Sequence, residues 1–277
     1  MKSELSLEQL AKQLTDNGSK KKDFIAESKN LEFIANGNLQ LHSKELNESF
    51  DVNNICLSQI STKAGMPKKY LDKMLDGHRG LLMENINYWW VTTPQQQMIR
   101  TLDGVARAFL SDKYKRVDND ELARVVLPIL LNNGYKVISC AITDSRMSIK
   151  AVLPTLQREV TKGDVVEAGV MVTNSEVGLG SVNVSPFIHR IVCVNGMVVN
   201  DSRLHSRHLT ASQATIDGVY EVLSDEAKEL DNRALLTKVR DVVLSTSDKV
   251  RFENNVAKMT NATEIKIKKP KKVIEVL

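Results

Sequence analysis

Residues 163–199 read GDVVEAGVMVTNSEVGLGSVNVSPFIHRIVCVNGMVV, and this stretch decides the fold class. Apolar and β-branched residues dominate two or three runs of strand length, separated by the glycine-rich turn Asn174 to Ser181 and by Asn195-Gly196. Immediately upstream, GYKVISCAITDSRMSIKAVLP alternates apolar and polar residues around Asp144-Ser145, which predicts another hairpin. Before that hairpin, DELARVVLPILLNN places Leu122, Val125, Val126, Ile129 and Leu130 on one helical stripe, with Asn119 or Asp120 as cap and Pro128 as a candidate kink. A helix followed by an antiparallel sheet is an α+β arrangement.

Toward the N-terminus, LEFIANGNLQLH alternates on both sides of Asn36-Gly37, a strong hairpin signal because that pair accepts positive φ. The hairpin leads into a helical hairpin broken at Gly65-Met66-Pro67, with Ile55, Ile60, Ala64, Tyr70, Leu71, Met74 and Leu75 at helical spacing. Residues 3–14 predict a short amphipathic helix capped by Ser3 or Ser6, followed by the lysine-rich segment TDNGSKKKD, read as a solvated linker. After Leu209 the periodicity turns helical, with Ile216, Val219, Val222 and Leu223 on one face and Leu235, Val239, Val242 and Val243 on another; a basic tail closes the chain. The expected organisation is therefore a helix and linker (1–30), a hairpin with a helix-turn-helix-like unit (31–94), an α+β core (95–209), a helical region (210–262) and a basic tail (263–277).

At 277 residues, 42% apolar and 26% charged, the chain can bury a sizeable core and has the composition of a globular protein. No apolar run approaches membrane length and MKSELSLEQL lacks a signal-peptide core, so the expected location is the cytoplasm, with no membrane partner. Cys56, Cys140 and Cys193 lie far apart and are expected as free thiols. The net charge is +4, but its distribution says more. Arg100, Arg107, Lys113, Lys115 and Arg116 against Asp103 and Asp112 leave +3 between residues 100 and 116, whereas 217–231 carries six acids and one lysine.

No phosphate loop, dinucleotide fingerprint or HExxH motif is present. His205 and His208 near Cys193 and His189 lack a second half for a metal site, and Cys193 lacks a thiolate-stabilising partner, so no catalytic centre, metal or cofactor is expected. Glu176 in the turn Asn174, Ser175, Glu176, Gly178, Gly180 is the exception: it either coordinates a divalent cation or pairs with an arginine to hold the turn. The better case is a basic groove lined by Arg100, Arg107, Lys113, Lys115, Arg116, Arg203, Arg207 and His208, with Tyr114 stacking on a base; the other reading of this basic set is a solvated charged surface with intrachain partners such as Asp103, Asp112 and Asp118. Lys68, Lys69 and Lys73 admit major-groove recognition, although such a helix would be expected to offer Arg, Asn or Gln to base edges; a merely packing helical hairpin is favoured. Tyr88, Trp89 and Trp90 suit either a core or interface anchor or base stacking, and each tryptophan could take one role.

Three segments together resemble the phage/plasmid-like domain-of-unknown-function family nine-three-two: the hairpin with AGMPKKYLDKML, RTLDGVARAFLSDKYKRVDN with its following helix, and 163–199 with RLHSRHL. The resemblance spans Asn30 to Thr210, and this chain departs from the pattern by being short after its helical region and ending in a lysine tail. The family has no settled activity. Its order of elements is similar in outline to phage single-strand-annealing recombinases, which implies a homo-oligomer with a basic groove for DNA. The expected function is thus binding or annealing of single-stranded DNA in replication or recombination, in the bacterial host of a phage or mobile element. The alternative is a non-enzymatic structural or interaction protein assembling with itself or with a phage or host partner. A third reading is an enzyme using Glu176 and a divalent metal.

Overall fold

The computed structural model describes residues 5–191, 197–198, 204–206 and 225–264. The chain starts with α1 (Leu7–Lys20), closed by a reciprocal cap in which Ser6 Oγ accepts from the Gln9 N–H and the Gln9 side chain accepts from the Ser6 N–H. There follow β1 (Phe24–Glu27), β2 (Leu31–Asn36), β3 (Asn38–Ser43) and β4 (Glu48–Val52), then α2 (Asn54–Lys63), α3 (Lys68–Gly77) and α4 (Arg79–Thr92), then β5 (Gln96–Leu102) and β6 (Val105–Ser111). These strands form one sheet in the order β1-β5-β6-β4-β3-β2. Only β4 and β6 pair in parallel, and the helices between them supply the long crossover that parallel pairing needs.

The second half contains α5 (Asn119–Asn132), β7 (Lys136–Ile142), β8 (Met147–Thr161), β9 (Asp164–Asn174), β10 (Val182–Arg190), β11 (Met197–Val198), β12 (Leu204–Ser206), α6 (Asp225–Ser245) and α7 (Lys249–Glu264). Its sheet runs β11-β10-β9-β8-β7, with β12 also on β10. The α+β class, the antiparallel hairpins, the helical hairpin and the helical C-terminal region expected from the sequence are all present. Gly37 takes φ +76° at the first hairpin, and the second turns through Asp144-Ser145 as its alternation requires. The Asn195-Gly196 turn and the apolar positions Ile216 to Leu223 lie outside the described residues. Pro154 falls where the β8–β9 register shifts, beyond the end of β7, so its missing N–H leaves no ladder bond broken.

Two cores result. Phe33, Leu41, Phe50, Ile60, Leu82, Ile86, Trp90 and Phe109 pack the three helices onto the first sheet. Leu122, Val126 and Leu130 of α5, Val239 and Val243 of α6 and Phe252 of α7 pack with Ile149, Val170 and Val184 in the second. No helix among the described residues is long and apolar enough to cross a membrane.

The N-terminal segment belongs to both halves. Leu10 and Leu14 of α1 enter the second core and the Leu5 N–H bonds the Cys140 carbonyl on β7, yet β1 pairs with β5 in the first sheet. The lysine-rich stretch expected as a solvated linker is instead the end of α1 followed by a crossing between the halves, with Lys21 and Asp23 largely buried. The outer strand β2 is also closed off. Asn87 of α4 accepts from the Phe33 N–H through Oδ1 at 2.7 Å and donates to the Phe33 carbonyl through Nδ2 at 2.9 Å, taking the bonds an added strand would need.

Candidate functional site

Where the two halves meet, charge is buried. Arg100 projects from β5 with none of its side chain exposed: Nε donates to Asp23 at 2.8 Å, Nη1 donates to the Glu176 carbonyl at 3.1 Å, and Nη2 pairs with Asp118. Arg107 reaches the same place by a different device. Arg100 pairs with Ala108 and Thr101 with Ala106, so Arg107 is the extra residue of a β-bulge, and bulges re-aim side chains. Its Nη1 lies 2.7 Å from Glu176 Oε2.

Glu176 itself sits in the turn between β9 and β10, 4% exposed. Its Oε1 accepts from Lys21 Nζ at 2.7 Å and from the Asn119 N–H at 2.8 Å, so the carboxylate also neutralises the open N-terminus of α5. Lys21 is shared further with Asp118 at 3.6 Å and Asp120 at 3.5 Å. Three cations, Lys21, Arg100 and Arg107, thus meet four carboxylates, Asp23, Asp118, Asp120 and Glu176.

Burial alone would raise the Glu176 carboxyl, but Arg107, Lys21, Arg100 and the Asn119 N–H outweigh it and hold it at about 2. Burial likewise opposes the charge on Arg100, and Asp118, Asp23 and Glu176 more than offset it, raising its pKa. A carboxylate so strongly ionised is a poor proton acceptor at neutral pH. The Lys21 ammonium occupies the cation position beside it, and no three His, Cys, Asp or Glu side chains among the described residues are placed to hold a metal ion. The cluster holds the halves together; of the two roles open to Glu176, pairing with arginine is the one its contacts display.

Neutral groups complete the joint. Asn174 donates to the Val117 carbonyl and to Asn119 Oδ1, both at 2.9 Å, and Gln59 of α2 bridges the Val177 carbonyl and the Phe109 N–H. Gly178 has φ +76°, a conformation that favours glycine, and a Cβ there would come 2.6 Å from Leu110 Cδ2, so the leucine would have to shift.

The open groove expected from Arg100, Arg107 and Tyr114 therefore meets a different geometry. The two arginines do converge, but inward, onto Glu176. Tyr114 is 7% exposed, its hydroxyl donates to the Ser175 carbonyl at 3.1 Å, and burial pushes its pKa up, so its ring has no face for a base. Lys113 and Arg116 remain exposed and Lys115 is half-buried on the loop that leads to α5. Arg203, Arg207 and His208 lie outside the described residues.

Two further basic side chains are placed by their contacts. The Arg146 guanidinium lies against Gly180, where a Cβ would come within 3.3 Å of Nη2, and Lys63 at the end of α2 sits over the Phe109 ring, 5.9 Å from its centroid. Leu179, at the tip of the turn, is 51% exposed. Lys21 and Asp23 have no role in the sequence reading, which offers Asp118 only as an intrachain partner of the basic segment and Asp120 only as a helix cap. The available signal was the acidic run DNDE at a helix start, opposite a strand that carries a lone arginine.

Residues 108–275 match the family described as Domain of unknown function (DUF932), which covers more than half of the chain. The chain belongs to that family. The DUF932 match starts in β6 and runs through the second sheet and its helices, later at both ends than the Asn30–Thr210 resemblance seen in the sequence. Most of the first sheet and all of α2, α3 and α4 thus precede the DUF932 region, while Asp118, Asp120 and Glu176 lie inside it. No curated protein and no solved structure matches the chain.

Proposed function

We propose that this DUF932 protein binds single-stranded nucleic acid, with DNA favoured, through the rim formed by Lys63, Lys113, Lys115, Arg116 and Arg146. The observation that carries this reading is the sorting of charge at the joint. Buried acids engage Lys21, Arg100 and Arg107 inward, while Lys63, Lys113, Arg116 and Arg146 are exposed and Lys115 is half-buried. A fixed row of cations follows a phosphate backbone without reading sequence, and its affinity falls with salt through counterion release. The proposed setting is the cytoplasm of a bacterial host and the replication or recombination of a phage or mobile element, with several copies acting together; it rests on the family resemblance.

Fluorescence anisotropy of a labelled oligothymidine at two salt concentrations tests the reading. Binding that weakens as salt rises, and that weakens about tenfold or more in Lys113→Glu/Arg116→Glu, is expected. Absence of salt-sensitive binding below about 100 μM would sink it.

A further inference from the structure

We infer that the outer face of α3 and α4 is a base-stacking platform that continues the rim, taking unpaired bases on Tyr88 and Trp89 and phosphates along Lys68, Lys69 and Lys73. This deepens the nucleic-acid reading and rests on it.

Helix α4 spends one face on the core. Leu82, Ile86 and Trp90 recur every four residues and are buried, with the Trp90 indole stacked on Phe109 at 5.5 Å and 15° between planes. The helical repeat then places Leu81, Asn85, Tyr88 and Trp89 together on the flank. Leu81 is 55% exposed, Tyr88 62% and Trp89 45%, and the two rings meet edge to face with centroids 5.5 Å apart. Two large aromatic rings side by side in solvent form a surface of the kind that marks a binding site.

Charge selects the occupant. α3, joined to α4 through His78, exposes Lys68, Lys69 and Lys73, and no acid among the described residues lies within ion-pair distance of them. Residues 54–92 carry five basic side chains against Asp72, Asp76 and Glu84. A second copy docked symmetrically would bring both lysine rows to one interface, where they repel. A nucleic-acid strand answers both features: its phosphates neutralise the lysines and its bases cover the rings. Stacking needs faces that a duplex keeps covered, so the occupant is single-stranded. Lys63 ends α2 just before the turn into α3 and lies over the same Phe109 ring on which Trp90 of α4 stacks, which brings this end of the rim near α4.

The test uses the full chain and unlabelled oligonucleotides of about 15 nucleotides, near the upper site size of one such module. Indole emission should quench in parallel with the anisotropy curve, should stay constant in Trp89→Phe, which keeps buried Trp90, and should not respond to duplex of the same sequence. Tyr88→Ala and Trp89→Ala should each weaken binding about tenfold, with circular dichroism unchanged. If oligonucleotides bind through Lys113 and Arg116 while indole emission and both alanine variants behave as wild type, the platform is wrong and the proposed function stands. If the alanine variants bind normally but lower the native mass, the stripe joins copies of the chain and the platform is again wrong. If nothing binds, both readings fall.

Discussion

Replacing Glu176 by glutamine keeps the shape of the joint and removes its central charge. Two independent lines give the cost. The fall of the carboxyl from its ordinary 4.5 to about 2 corresponds to roughly 3 kcal/mol of stability at neutral pH. Deleting one partner of a buried ion pair costs about 3–5 kcal/mol, and Glu176 is the only hydrogen-bond partner of Arg107 among the described residues, whose Nε and Nη2 are buried without one. The sign follows from the depressed pKa. The stabilisation is complete above the ordinary carboxylate range and disappears as pH falls through about 2. Urea unfolding of wild type and Glu176→Gln should therefore show a gap of about 3 kcal/mol at pH 7, nearly the same gap at pH 5, and about half of it at pH 3. A gap below about 1 kcal/mol at pH 7, or one that does not narrow between pH 5 and pH 3, would refute the assignment of Glu176 as the ionised centre of the joint.

Three further outcomes can be measured. Gly178→Ala combines a positive φ with a Cβ placed 2.6 Å from Leu110 Cδ2 and should lower stability by about 1–3 kcal/mol in the same titration; a neutral result would contradict the close packing of this turn. Asn87→Ala removes both bonds to Phe33, should cost about 1–2 kcal/mol, and should promote association through the freed β2 edge, seen as a rise in sedimentation coefficient with concentration. Burial pushes the Cys56 thiol up to about 12 and raises Cys140 as well, so in a Cys193→Ser background neither should react with a thiol reagent at pH 8 until the chain unfolds; rapid labelling of the native protein would count against both burials.

What could be read from the sequence was local. Asn36-Gly37 and Asp144-Ser145 announced their hairpins because the turn chemistry sits in adjacent residues. The stripe Leu122, Val126, Leu130 announced α5 because its period lies within one element. The joint has no such signature. Lys21 and Glu176 are 155 residues apart, and nothing periodic connects a lysine after a helix to an acid in a distant turn. Arg107 was misread as outward-facing because its aim comes from one extra residue in β6, and strict alternation cannot show a bulge. Tyr114 was misread for a related reason: basic neighbours on both sides suggested solvent, while the ring packs with Ala108, Leu110 and Val177. The sequence admits both core and surface for the adjacent tryptophans, and one helical step separates them, since it turns Trp90 toward Phe109 and Trp89 away.

The strap that begins in one half and ends in the other also sets a timetable for synthesis. Arg100 can meet Asp23 as soon as its own hairpin forms and Asp118 after 18 more residues, and Lys21 can meet Asp118 and Asp120 once they are made, but Arg107 waits for Glu176, which follows it by 69 positions. At about 5–20 residues per second the ribosome needs roughly 3–14 s to span that interval. During it the first sheet carries an uncompensated Arg107 on the side where the second half will dock. Chains arrested before and after residue 176 should differ sharply in protease resistance of the first sheet, and equal resistance would show that this half is complete without its late-arriving acid.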